Sequence, residues 1–237
     1  MSKLKLLTPL YNKSIYRKTF DDNSFIIMTT NKYNFREFNH YRTVQFVKKY
    51  FSKKSIAKTR QVHHIKIISD PISREYIGVD GFYLEKSNIP IMIVTADCIP
   101  MLVRSKKSKK VALLHAGWKG VKKRIYFHSL NRFKENKKDI EVYLLPSISK
   151  DSFEIKDDFI QEFSGRYFFK QFLTKNEKSY FDLKSFVKKE LVSYGIPKNQ
   201  IYIEEHDTYK SEIFHSYRRE GKNYGLNAII FFPNIDK

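Results

Sequence analysis

The chain carries one cysteine in 237 residues, Cys98, so no internal disulfide can form, and a lone thiol is best kept in a reducing compartment. Cytoplasm is therefore the expected location. No apolar run is long enough to span a bilayer, and residues 1–20 interleave Lys3, Lys5, Lys13, Arg17 and Lys18 with short apolar stretches, so neither secretion nor membrane insertion is expected. Proline and glycine are sparse, 7 and 8 residues, and form no linker. No segment repeats, so a single domain over 1–237 is the economical reading. Acidic residues are also scarce, 25 against 45 basic, which leaves a net charge of +20 and an attraction for polyanions. The basic residues fall in scattered pairs and triplets such as Lys106-Lys107 and Lys122-Lys123-Arg124, as lysine-rich codon drift would produce. No zinc-finger spacing or RRM-type aromatic signature accompanies them, so specific nucleic-acid readout is not expected. What is abundant is apolar and aromatic: 41% and 16% of residues, including 20 Phe and 16 Tyr, enough to build a core and exclude disorder.

Strands are expected at 25–30, 61–69, 91–96, 141–145, 200–203 and 227–232, where β-branched and aromatic residues concentrate. The 61–69 strand contains His63 and His64. Residues 100–104 and 111–115 read as a hairpin around the polar turn 105–110, and Asp80-Gly81 reads as a turn. Helical spacing of apolar residues marks 38–54, 118–133 and 182–194, the last ended by Gly195-Ile196-Pro197. The class is α+β, with a mixed β-sheet flanked by helices.

His115 ends one apolar strand, Cys98 follows another, and His63 lies on a third, so all three side chains can meet at one sheet end. Two imidazoles and a thiolate suit zinc, and three protein ligands leave a fourth position for water or substrate, the mark of a catalytic rather than a structural site. A structural site would need a fourth ligand; His64 is nearest, but adjacent strand residues point to opposite faces. Spacings of 35 and 17 residues carry no local metal signature, so the packing alternative, a buried thiol and backbone-satisfied histidines, stays open on spacing alone.

The motifs Gln61-Val62-His63, Thr95-Ala96-Asp97-Cys98-Ile99-Pro100 and His115-Ala116-Gly117-Trp118-Lys119-Gly120 are more specific. In order and spacing they resemble the YfiH-type family, also called the laccase-domain or polyphenol oxidase family. The resemblance covers roughly residues 60–232, continuing more weakly through Pro146-Ser147-Ile148 and Ser216-Tyr217-Arg218-Arg219. It implies a YfiH-like fold, with His63, Cys98 and His115 as zinc ligands and copper as the alternative metal. It further implies phosphorolysis of purine nucleosides such as adenosine, inosine and methylthioadenosine, with adenosine deaminase activity also attributed to the family. A polyphenol oxidase activity is the older label, and peptidoglycan-precursor editing by hydrolysis is the principal rival. The sequence departs from the family pattern at His64, Lys119, Leu145, Asp207 and Leu226, the last standing where an Arg is frequent.

On this reading His63, Cys98, His115 and Asp97 are the catalytic candidates. Asp97 is either support for a histidine ligand or a general acid/base, with turn capping as the structural alternative. Lys119 and Arg218 are the candidates for phosphate, Ser147 and Tyr217 for other substrate contacts, and Trp118 for stacking on a purine, against solvated or core roles for each. Seven histidines are too few and scattered for the copper centres of a true multicopper oxidase, and the HxE and PCxxC signature of nucleobase deaminases is absent. The expected partners are purine nucleosides and phosphate, with a homodimer completing the site left open. A basic nucleic-acid binder, its affinity falling steeply with salt, is the non-catalytic alternative.

Overall fold

Alternation along the strands sorts the apolar residues into three layers of core in the computed structural model, which describes residues 6–234. Along Val111–Ala116, Val111 and Leu113 face one layer while Ala112, Leu114 and Ala116 face another. Two mixed sheets stack through the middle layer. One has seven strands in the order Thr8–Leu10, Ile15–Thr19, Phe25–Thr29, Asn227–Phe232, Ile91–Thr95, Ala57–Arg60 and Glu75–Ile77. The other has six, in the order Ile201–Ile203, Ile140–Leu144, Ile99–Ser105, Val111–Ala116, Gly81–Leu84 and Ile67–Ser69. A small antiparallel sheet of three strands completes the β structure.

Helices cover the outer faces. His40–Phe51, capped by Asn39 and ended by Ser52 in the left-handed region, lays Phe46 and Val47 over the seven-stranded sheet beside Met92 and Ile230. Leu183–Ser193, capped by Asp182, buries Phe186, Val187 and Leu191 against the outer face of the six-stranded sheet. The expected α+β class holds, with two stacked sheets in place of one. The central hairpin is also as expected, in the register His115 opposite Pro100 and Ala116 opposite Ile99.

Three expectations are corrected. Residues 61–66 are not a strand: the chain leaves Ala57–Arg60, loops, and re-enters the other sheet at Ile67. The helix expected at 118–133 is two short ones, Trp118–Lys122 and Ile125–Leu130, broken where Arg124 takes a left-handed φ of 58°. Asp80-Gly81 is no turn; Gly81 opens a strand and the left-handed turn residue is Gly78. The N-terminal strands Thr8–Leu10 and Ile15–Thr19 carried no signal strong enough to be expected.

Candidate metal centre

Cys98 sits in the short link 96–98 that carries the chain from Ile91–Thr95 in one sheet to Ile99–Ser105 in the other. The hairpin register places it just beyond Ala116, beside His115 on the neighbouring strand. His63 arrives from the 61–66 loop with φ 59°, a conformation unfavourable for a residue with a Cβ. Asp80 holds it there. This fully buried carboxylate accepts the backbone N–H groups of Val62 (3.2 Å), His63 (2.9 Å) and His64 (2.9 Å), and pairs with His115 Nδ1 at 2.8 Å. Its backbone carbonyl also accepts the His115 N–H at 2.8 Å. One residue thus positions two of the three expected ligands. Burial would raise the Asp80 carboxyl, but the His115 contact and the loop N–H groups outweigh it and hold Asp80 below the usual carboxylate value.

With Nδ1 on Asp80, His115 leaves Nε2 for a metal ion, the arrangement in which an outer carboxylate fixes the tautomer of a ligating histidine. His63 Nε2 lies 3.7 Å from Cys98 Sγ, the two imidazoles are 4.8 Å apart between centroids, and the ligand atoms of all three residues lie within 4.8 Å of one another. Burial pushes the Cys98 thiol up, but His115 and His63 overcome this and bring it down to about 6. Burial likewise pushes His115 down, but the facing thiolate and Asp80 carry it up to about 9. A preformed thiolate with two imidazoles fits a borderline ion such as zinc or copper. Among the described residues the group comprises these three alone, so a metal held here keeps a coordination position for another ligand. His64 is exposed and does not join it.

Gly117 explains the close approach. A Cβ on this residue would lie 2.7 Å from His63 Cδ2 and 2.9 Å from Cys98 Sγ, so a side chain here would displace two ligands at once.

The three residues form part of the wall of a cavity of about 710 Å³. Of the sequence-derived candidates, Asp97, Tyr217, Arg218 and Trp118 also line it, whereas Lys119 and Ser147 do not. Lys119 is exposed with its ammonium 5.4 Å from the Trp118 ring, and Ser147 is fully buried where its backbone bridges to Asp207. Asp97 does not support a histidine. One oxygen accepts from Thr208 Oγ1 (2.7 Å), the other from Ser216 Oγ (2.9 Å) and the Arg218 N–H (2.7 Å). Burial raises its carboxyl above the usual value, opposed by those hydrogen bonds. Sequence reasoning missed Asp80 as a site residue, and with it the cavity-lining cations Arg36, Lys58 and Arg60. An aspartate ahead of a strand glycine signals a turn and carries no local sign of the histidines it will meet.

A His-Cys-His cluster backed by a buried carboxylate, set where the chain crosses from one stacked sheet to the other, defines an α+β protein with a candidate metal centre and an adjoining ligand cavity. Residues 38–232 match the family described as multi-copper polyphenol oxidoreductase laccase, and the chain belongs to that family. It is similar to a Haemophilus influenzae protein named purine nucleoside phosphorylase, 27% identical over 178 residues, covering 73% of this chain and 72% of that one. It is also similar to the Staphylococcus aureus purine nucleoside phosphorylase YlmD, 33% identical over 158 residues, covering 64% of this chain and 59% of that one. Thus the match spans less than two thirds of the staphylococcal relative. The fold matches crystal structures of YlmD from Geobacillus stearothermophilus and of the Bacillus licheniformis hypothetical protein YfiH. The TM-scores are 0.83 and 0.80, at 18% and 21% identity. The first covers 97% of this chain and 99% of that one, the second 98% and 99%. No helix among the described residues is long and apolar enough to cross a membrane.

Proposed function

We propose that the protein is a zinc-dependent purine nucleoside phosphorylase acting on adenosine, inosine and methylthioadenosine, with adenosine deamination as a second activity. The observation that carries this reading is the position of the cluster on the wall of a nucleoside-sized cavity that also presents a guanidinium and aromatic faces. The names of the relatives agree with it. Bound zinc would supply Lewis-acid stabilisation of developing negative charge. His63, Cys98 and His115 would hold it, with Asp80 fixing the histidine geometry.

Arg218, anchored through its backbone N–H to Asp97 and through Nη2 to the Glu154 carbonyl at 2.9 Å, is the residue assigned to phosphate. Tyr217 beside it and Trp118, packed on Phe159 at 5.5 Å, border the space for the nucleoside. In phosphorolysis a phosphate oxygen bonds to the ribose C1′ as the bond from C1′ to the purine nitrogen breaks, and the departing base gains a proton. Lys119 and Ser147, away from the cavity, take no part. Asp97 acts by holding the wall that carries Arg218.

The test is release of hypoxanthine from inosine by zinc-loaded protein, with and without phosphate, beside Cys98→Ala and His115→Ala. Release that requires phosphate and vanishes in both folded variants supports the assignment. Absence of release by wild type overturns it in favour of the hydrolase reading, in which the same site serves a peptidoglycan precursor. Polyphenol oxidation is disfavoured because blue and trinuclear copper centres need more clustered ligands than the single group found among the described residues.

A further inference from the structure

The cavity has a second cationic region that the phosphorylase reading leaves unused. Its lining includes Arg36, Lys58, Arg60 and Arg218 but only the carboxylates Glu75 and Asp97. Asp97 is taken up by Thr208, Ser216 and the Arg218 N–H. Away from it, Lys58 and Arg60 share one acid: Lys58 Nζ is 3.4 Å from Glu75 Oε1, and Arg60 Nη2 is 3.1 Å from Glu75 Oε2. Lys58 is also bonded to the Phe38 carbonyl, and its side chain is only 7% exposed, an expensive place for an ammonium with half a counter-ion. Arg36, two residues before Phe38, donates to the carbonyls of Lys222 and Tyr224, both at 3.0 Å, and lies 4.6 Å from the Tyr224 ring. Carbonyls and a ring fix its guanidinium without cancelling its charge. Apart from Arg218 and the Asp97 bonded to it, the cavity lining therefore holds three cations against one carboxylate.

The distance of this group from the metal centre is bounded by the chain. Arg60 and His63 are three residues apart, so their Cα atoms are separated by at most about 11 Å. A single nucleotide can reach from one to the other.

We infer that Arg36, Lys58 and Arg60 form an anion subsite for a phosphoryl group carried by the substrate, so that nucleoside 5′-monophosphates are accepted. The inference rests on the phosphorylase reading and extends its substrate class. Arg218 then takes the inorganic phosphate, and the substrate's own phosphate occupies the basic end. The reaction keeps its balance: an inorganic phosphate oxygen bonds to C1′ and the bond to purine N9 breaks. The base leaves with a proton, and the sugar leaves as ribose 1,5-bisphosphate.

The experiment compares base release from inosine and from inosine 5′-monophosphate, with equilibrium binding of the monophosphate measured separately. The proteins are zinc-loaded wild type, Arg60→Gln and Glu75→Gln, each checked by circular dichroism. The Arg60 side chain is 64% exposed, so its replacement is not expected to disturb folding. In wild type, kcat/KM for the monophosphate should exceed that for inosine by about tenfold. The ratio of the two should fall about threefold or more in Arg60→Gln and rise in Glu75→Gln, because the two substitutions change local charge in opposite directions. A merely structural ion pair would lose in both variants.

Wild type that releases base from inosine yet neither binds nor turns over the monophosphate overturns the subsite. So does a ratio indifferent to both substitutions. An Arg60→Gln effect confined to the KM for inorganic phosphate would give the basic end to free phosphate and likewise overturn it. If neither substrate is turned over but the monophosphate still binds with the opposite Arg60 and Glu75 dependence, the subsite stands and the phosphorylase reading falls.

Discussion

Adding a single methyl group at Gly117 is the sharpest test of the metal centre. The Cβ of Gly117→Ala would fall 2.7 Å from His63 Cδ2 and 2.9 Å from Cys98 Sγ, against an ordinary carbon contact of about 3.5–4.0 Å. One or both ligands must withdraw by close to 1 Å, whereas a metal site tolerates about 0.2 Å in its ligand distances. Overpacking by one methyl costs about 1–3 kcal/mol, which, expressed in metal affinity, is a loss of about 5- to 150-fold. The backbone does not confound this. Gly117 has φ −66° and ψ 163°, open to any residue, and although alanine caps a helix less well than glycine, by up to about 1 kcal/mol, that cost falls equally on the metal-free and metal-loaded protein. Without metal the exposed His63 ring is free to swing aside, so the metal-free variant should melt within a few degrees of wild type. Zinc competition against a chromophoric chelator, beside melting curves of the metal-free proteins, separates the two effects. Wild-type zinc affinity in Gly117→Ala, with the metal-free protein destabilised instead, would refute the placement of the site.

Three further outcomes are expected. Asp80→Asn removes the anion that gathers the 62–64 loop and His115, so urea unfolding should show a loss of about 2–4 kcal/mol and zinc titration a 10- to 100-fold weaker site; unchanged values would show that the carboxylate is dispensable. In metal-free protein Cys98 should be alkylated by iodoacetamide with a midpoint near pH 6, because the neighbouring histidines favour its thiolate, and a midpoint near 9 would contradict that geometry. Arg218→Ala should lower kcat/KM for phosphorolysis by about tenfold or more while Lys119→Ala leaves it near wild type; the reverse order would mean that the exposed lysine, not the cavity arginine, meets phosphate.

The parts of the site that local pattern could reach were the hairpin and its two ligands. Apolar strands at 100–104 and 111–115 around a polar turn fix the pairing, and pairing puts Cys98 beside His115. His63 could be named but not placed. Its β-branched neighbours read as a strand, while the actual loop is dictated by three successive N–H groups turning onto Asp80, a residue 16 to 18 positions away. The broken helix teaches a related lesson: Val121, Ile125 and Leu130 face one core cluster on both sides of the left-handed Arg124, so the apolar period survives although the helix does not. Arg36, Lys58 and Arg60 were invisible because a cation in a cavity and one on an open surface look alike in a lysine-rich chain.

Asp80 and Asp97 show how two buried aspartates around the cluster divide their work. Both are buried, and both have left the role of free acid. Asp80 spends its carboxylate on the ligands themselves, whereas Asp97, in the left-handed region at φ 81°, receives groups from Thr208, Ser216 and Arg218, more than a hundred residues downstream. Since Asp97 is bonded to Cys98 on one side and clamps the Arg218 backbone on the other, the candidate ligand and the stretch of cavity wall that carries Arg218 are fixed to one another by a single residue. A general acid serving the departing base would need a proton and a lone direction toward substrate, and Asp97 has committed both oxygens elsewhere. The reading of Asp97 that fits its contacts is therefore that of a positioning residue: it sets the spacing between Cys98 and Arg218, on which attack at C1′ would depend if the proposed phosphorolysis holds.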